Sequence, residues 1–245
     1  MARTLRLIIE YDGTDFAGWQ RQSGQRTVQA CLEEALAAMV GTPVKVTGAG
    51  RTDAGVHAEG QVASVVVESR IPEGGFLRGL NAHLPKDIVI RELAQVAEGF
   101  DARRSARGKV YRYCIWNHLT RSPLRGRWSW HHRAPLDTHA MREAAAAFLG
   151  RHDFRAFRAA DCERRNTVRV IRALSVWREG NLLTLEVEGT AFLKNMVRIM
   201  VGTLVTAGRG ALDAAGVSAL LAAGDRTQAG VTAPAHGLTL VRVIY

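Results

Sequence analysis

Asp53 is the one carboxylate in a run of small residues, Gly48-Ala49-Gly50-Arg51-Thr52-Asp53-Ala54-Gly55-Val56-His57-Ala58. Two basic residues, Arg51 and His57, accompany it. Apolar, β-branched runs flank the loop, residues 44–47 before it and 62–67 after it. The pattern is strand, glycine-rich loop, strand. Glycines there open backbone angles closed to other residues and let a substrate come close. A carboxylate on such a loop, carried by rigid strands, is placed where chemistry is usually done. The other reading is a turn Asp bonded to its own backbone. The loop is neither a dinucleotide fingerprint nor a P-loop. The third glycine of a G-x-G-x-x-G fingerprint is replaced by Asp53, which would repel a pyrophosphate, and no Gly-Lys-Ser/Thr occurs.

Three further groups have types suited to a site. Tyr111 lies in Lys109-Val110-Tyr111-Arg112-Tyr113, where alternation puts the two tyrosines on one face and Arg112 on the other. Core packing is the ordinary fate of such a tyrosine. Arg198 stands in residues 192–205, where apolar side chains occupy nearly every helical face. A fully buried arginine needs a partner; otherwise it snorkels from the helix edge. Arg121, Arg125, Arg127, Trp128, Trp130, His131, His132 and Arg133 interleave cations with aromatics. That composition suits single-stranded or looped RNA, or an exposed basic loop with its tryptophans in the core. Arg103, Arg104 and Arg107 read as phosphate contacts.

The formal net charge of +10 points to a polyanionic partner, nucleic acid ahead of membrane. Only four of the 33 basic residues are lysine, at 45, 86, 109 and 194. Arginine forks onto phosphates and stacks on bases, which suits RNA. Cys31, Cys114 and Cys162 lie far apart, without metal-ligand spacing, and an odd count argues against a disulfide framework. The first ten residues have too short an apolar core for a signal peptide, and residues 192–205 are too short to span a bilayer. A reduced, cytoplasmic setting with no membrane partner is expected.

The elements that must carry these groups follow from periodicity. The first half reads as a strand at 4–11, a helix at 27–40, a strand at 44–49, the loop, and a strand at 61–68. One face of that helix carries Val28, Cys31, Leu32, Ala35, Leu36 and Met39. A break at 72–75, a short helix at 75–83, a strand at 88–96 and a basic link at 100–108 complete it. The second half reads as a strand at 109–116, a basic aromatic loop at 117–135 and a helix at 137–149. A hairpin turning at Glu179-Gly180-Asn181 joins strands at 171–177 and 182–188. A buried helix at 192–205, a helix at 213–222 and a strand at 238–243 close the chain. Each half holds strands, a helix and a long loop, a hint of a duplicated α/β unit.

Gly50-Arg51-Thr52-Asp53-Ala54-Gly55-Val56-His57-Ala58 resembles the catalytic motif of the TruA-type family of tRNA pseudouridine synthases. Tyr11-Asp12-Gly13-Thr14, Gly18-Trp19-Gln20, the Tyr111 strand, His152-Asp153-Phe154, Phe157-Arg158, Phe192-Leu193, Asn195-Met196-Val197-Arg198 and Gly237-Leu238 match in order, over essentially the whole chain. The resemblance implies a mixed α/β fold. Two similar α/β subdomains, 1–108 with the catalytic loop and 109–245 with the tyrosine motif and the Arg198 helix, would join their sheets around a central RNA-binding cleft.

It also implies an isomerase acting on uridines 38–40 of the tRNA anticodon stem-loop, as a homodimer, with no metal and no cofactor. Asp53 would be the nucleophile, at C1′ or C6 of the uridine. Tyr111 would stack on the flipped base, Arg51 would fill the vacated stack, Arg198 would be a charge partner for Asp53, and Leu238 would line the substrate site. A non-catalytic tRNA-binding protein of the same fold is disfavoured by the presence of Asp53, Arg198 and Tyr111. A zinc deaminase is disfavoured because no Pro-Cys-x-x-Cys occurs. A methyltransferase is disfavoured because a carboxylate stands where a cofactor-binding helix should start.

Overall fold

Glycines, prolines and capping side chains set where each element of the chain begins and ends. The computed structural model describes residues 2–245, which divide into two compact units, residues 2–107 with Thr239–Tyr245, and Gly108–Leu238. The first unit runs β1 (Ala2–Tyr11), α1 (Val28–Val40), β2 (Thr47–Gly48), β3 (His57–Glu68), α2 (Glu73–His83) and β4 (Ile88–Val96). The second contributes β5 (Gly108–Asn117), β6 (Trp130–His132), α3 (Thr138–Ala146), β7 (Gly150–Asp153), β8 (Val168–Glu179), β9 (Leu182–Gly189), α4 (Met196–Gly208) and α5 (Ala214–Ala223). The last strand, β10 (Leu238–Ile244), returns to the first unit.

In the first unit β1 lies between β4 and β3, antiparallel to both. The other edge of β3 pairs with β10 in parallel at His57 and Ala58, and with β2 antiparallel at Ala63 and Ser64. Alternate β1 residues Leu5, Leu7 and Ile9 are fully buried, as are Val28, Leu32 and Leu36 of α1 and Phe76 and Leu80 of α2. Thr27 caps α1 by accepting the Ala30 N–H, and Gly41, at φ 75°, ends it. Cys31 and Met39, expected on the apolar face, are only half-buried.

Two expectations change here. Residues 44–46 are not strand, because Val46 spends its backbone on α1: its N–H reaches Glu33 Oε1 (3.1 Å) and its carbonyl accepts from Gln29 Nε2 (3.1 Å). Only Thr47 and Gly48 remain for the ladder. The expected break at 72–75 is instead the start of α2, with Pro72 at the N-cap and its carbonyl accepting the Phe76 N–H.

The second unit is an antiparallel meander, β5–β9–β8–β7, with β6 parallel on the outer part of β5. Helix α3 packs on β8, α4 and α5. Gly150, at φ 94°, stops the chain after α3, so that helix ends at Ala146 and residues 150–153 pair with β8 instead. Helix α4 begins at Met196, four residues later than its apolar run suggests, because Asn195 adopts the left-handed φ of 62°. Nearly all of α4 is buried. A Cβ on Gly202 would stand 1.8 Å from the Val231 carbonyl oxygen, so the chain at 230–233 lies directly on the helix backbone there. Among the described residues no helix is long and apolar enough to cross a membrane.

Candidate active site

The loop between β2 and β3 presents its side chains alternately. Arg51 is exposed, Thr52 is buried and Asp53 is half-buried. Thr52 is the anchor. Its hydroxyl is hydrogen-bonded to the Tyr11 hydroxyl at 2.7 Å, and its carbonyl accepts the Trp19 N–H at 3.0 Å. Tyr11 is 3% exposed, and burial pushes its phenol well above the ordinary range, against the smaller lowering effect of hydrogen bonds from Thr52 and Gln61. It is therefore a neutral, fixed partner. Behind the loop, fully buried Gln61 donates to the Gly50 carbonyl (3.0 Å), and Asp53 closes a turn by accepting the Val56 N–H on its own carbonyl (3.1 Å).

Residues 12–20 form the wall against which this loop is set. A Cβ on Gly13 would lie 2.0 Å from the Val56 carbonyl oxygen, so only glycine permits that approach. The Gly13 N–H donates to His57 Nδ1 at 3.0 Å, and Asp12 Oδ1 lies 3.1 Å from the same nitrogen. Asp12 is itself held by the Thr14 N–H (3.0 Å) and hydroxyl (2.5 Å). His57, 4% exposed, thus stitches β3 to the wall. Arg51 Nε donates to Gln20 Oε1 (3.1 Å), whose amide continues to Gln29 (2.7 Å). The Tyr11, Gly13 and Trp19 motifs, matched above only by likeness, are here the supports of the Asp53 loop. Thr52 was not singled out in the sequence. A polar residue between two outward-facing ones is the signal that it turns inward.

In the second unit Tyr111 is buried on β5, and its ring meets Phe192 edge-on at 5.1 Å. Tyr113 is fully buried on the same strand and donates its hydroxyl proton to the Pro234 carbonyl (2.8 Å). Burial raises the Tyr113 phenol, and the positive charge of Arg198 lowers it by less. Arg198 itself is half-buried. Its Nε donates to the Ala233 carbonyl (2.7 Å) and its Nη1 to Asn195 Oδ1 (2.9 Å). The Ala233 N–H returns to the Arg198 carbonyl (3.1 Å). Two acceptors on two segments thus fix the guanidinium plane. Leu238, 6% exposed, begins β10 directly after Gly237, which packs against the Tyr113 ring.

Arg103, Arg104 and Arg107 are all exposed, on a link that is itself anchored. Asp101 Oδ1 accepts the N–H groups of Arg103 and Arg104 at 2.8 Å each. The Ala102 N–H donates to Ser64 Oγ (3.1 Å), and its carbonyl accepts from the Tyr245 hydroxyl (2.8 Å). The guanidinium groups are therefore displayed from a fixed backbone.

Residues 7–103 and 144–245 match the family model described as tRNA pseudouridine synthase. A tRNA pseudouridine synthase A of Syntrophotalea carbinolica is 50% identical over 98% of this chain and 96% of its own length. One from Pelobacter propionicus is 51% identical over 99% and 100%. One from Myxococcus xanthus is 50% identical over 98% and 91%. A crystal structure of an archaeal box H/ACA sRNP Nop10-Cbf5 complex aligns at 11% identity with a TM-score of 0.36, over 82% of this chain and 53% of that one.

Proposed function

The chain belongs to the tRNA pseudouridine synthase family, and on that premise we propose that it converts uridine to pseudouridine in tRNA, with Asp53 as nucleophile. In the reaction the N1–C1′ bond breaks, the freed uracil rotates, and C5 bonds to C1′. The proton lost from C5 is balanced by one gained at N1. Asp53 attacks C1′ or C6 and is released intact, so no cofactor is consumed. The observation that carries the reading is the presentation of Asp53. It is half-buried, on a loop whose neighbouring residue, Thr52, is locked to Tyr11 beneath it. Such rigidity holds a nucleophile in an attacking geometry.

The other residues take roles that their settings support. Tyr111, ring-packed on Phe192, forms the aromatic wall for the flipped uracil. Arg198, held in a fixed plane, supplies positive charge that keeps the reacting carboxylate ionised. Exposed Arg51 enters the stack that the base has left. Leu238 gives an apolar surface to the base, and Arg103, Arg104 and Arg107 hold phosphates. The substrate is the anticodon stem-loop at uridines 38–40, and the working form is a cytoplasmic homodimer.

Mapping pseudouridine in tRNA incubated with purified protein tests the reading. Wild type is expected to modify one or more of positions 38–40. Asp53→Asn keeps side-chain size and removes the charge, so it is expected to fold and bind tRNA yet form no detectable pseudouridine. Product from a clean Asp53→Asn preparation would remove Asp53 as the nucleophile.

A further inference from the structure

Arg51 is the exposed end of a chain of side-chain amides that begins in the core. Gln29, on α1, is buried, and its amide is fixed by groups that can each play only one part. Its Oε1 accepts the Arg21 N–H (3.0 Å), which only donates, and its Nε2 donates to the Val46 carbonyl (3.1 Å), which only accepts. Nε2 donates a second time, to Glu33 Oε1 (2.9 Å), and Oε1 accepts a second time, from Gln20 Nε2 (2.7 Å). Both ends of the Gln29 amide are thus filled.

The orientation is handed on. With its Nε2 on Gln29, Gln20 turns its own Oε1 the other way, where Arg51 Nε donates to it at 3.1 Å. A flipped Gln20 would set oxygen against oxygen at Gln29 and donor against donor at Arg51. The backbone keeps the same line. The Gln29 N–H donates to the Trp19 carbonyl (3.0 Å), and the Trp19 N–H donates to the Thr52 carbonyl (3.0 Å). Helix α1, the wall at Trp19 and Gln20, and the Asp53 loop are joined in one row, and Arg51 takes its setting from a residue in the core.

A guanidinium is planar and stacks on bases, but its long side chain has many rotamers to lose on ordering. An acceptor waiting at Nε meets part of that cost before RNA arrives. The geometry points to Gln20 as a positioning residue for base flipping: it presets the Arg51 guanidinium to enter the stack that the uridine leaves, and Gln29 presets Gln20. This rests on the stack-filling role given to Arg51 above. The chemical step stays with Asp53.

The test compares Gln20→Met, Gln20→Glu, Arg51→Ala and the double variant Gln20→Met with Arg51→Ala, each in the full chain, on tRNA carrying 2-aminopurine beside the target uridine. Gln20→Met keeps length and removes the acceptor. Its kcat at saturating tRNA is expected to fall about tenfold, the size of a lost hydrogen bond to a charged group, while Kd stays close to wild type. The fluorescence of 2-aminopurine rises when its neighbour leaves the stack, so the signal of the saturated complex should fall with kcat. Gln20→Glu keeps an acceptor for Arg51 but offers Gln29 no donor. It should melt below wild type and yet turn over faster than Gln20→Met. In the Arg51→Ala background, Gln20→Met should cost no further turnover.

Turnover that follows melting temperature across both Gln20 variants, or an equal loss from Gln20→Met with and without Arg51, would make Gln20 a structural support and overturn the proposal while Asp53 chemistry stands. Should the Gln20 variants fail to fold, nitrogen-15 relaxation of the Arg51 Nε–H in the wild-type protein without RNA decides. Order close to that of the backbone supports a preset guanidinium, and free rotation overturns it. Arg51→Ala with wild-type turnover and fluorescence would remove Arg51 from the stack and the role of Gln20 with it. A wild-type protein that binds tRNA and forms no pseudouridine would overturn the functional reading itself.

Discussion

The side chain before Asp53 decides how the carboxylate is presented. Thr52 turns inward onto a phenol 41 residues earlier in the chain and so anchors the loop next to the half-buried Asp53. Thr52→Val should therefore cost about 1 kcal/mol in denaturant unfolding, the net worth of one buried hydrogen bond, and should slow turnover by loosening the loop. Thr52→Ser restores the hydroxyl and should recover both; failure of that rescue would deny the bond a positioning role. The same burial makes a pH prediction. The phenols of Tyr11 and Tyr113 are both raised above their ordinary value of 10.0. The folded state thus holds protons that the unfolded state has released once the pH passes about 10. Their contribution to stability is complete below that pH and is lost progressively above it. A melting temperature followed from pH 8 to 11.5 should fall above 10, and Tyr113→Phe should make the fall shallower.

At the scale of elements, the helices and strands that obey simple periodicity were legible in the sequence, and those shaped by distant partners were not. Strand β4 appears at the residues its pattern implies, Ile88–Val96. Strand β2 shrinks because side chains of α1, not a neighbouring strand, claim the backbone of Val46. Strands β6 and β7 have only three and four residues, and their pairing partners lie well outside any local window. The glycine loop of Asp53 stood out locally, whereas the bonds from Tyr11, Gly13 and Gln61 that support it did not. Helix α4 looked continuous from 192 because every residue type there is compatible with burial; only the left-handed Asn195 separates the turn from the helix. Gly202 carries the clearest consequence. Alanine there must push a carbonyl away from the helix, separating α4 from the segment that holds Arg198 in place. Gly202→Ala should lower stability by roughly 1–3 kcal/mol, as overpacking does, and reduce turnover in parallel. An unchanged melting temperature would show that the 230–233 segment can move at no cost.

For the molecule as a whole, the excess positive charge is a statement about association. Each phosphate neutralised on a bound tRNA releases condensed counterions, so the observed affinity should fall as a power of salt concentration. A net charge of +10 carried almost wholly by arginine gives many candidate phosphate partners, and the slope reports how many are used. Arg103, Arg104 and Arg107 are exposed on a backbone pinned by Asp101, Ser64 and Tyr245. Replacing all three by alanine leaves the bonds that hold Asp101 and Ala102 in place, because those bonds involve none of these side chains. Binding of tRNA measured from 50 to 300 mM KCl should be steep for wild type. The triple variant should be weaker at low salt and flatter by up to about three units of slope, roughly 0.9 for each phosphate that is no longer neutralised at a duplex-like charge density. Its melting temperature should stay within about a degree of wild type, since exposed substitutions away from buried networks change stability little. A triple variant with the wild-type slope would place the phosphate-binding groups elsewhere on the molecule, and a wild-type affinity indifferent to salt would contradict a polyanionic substrate altogether.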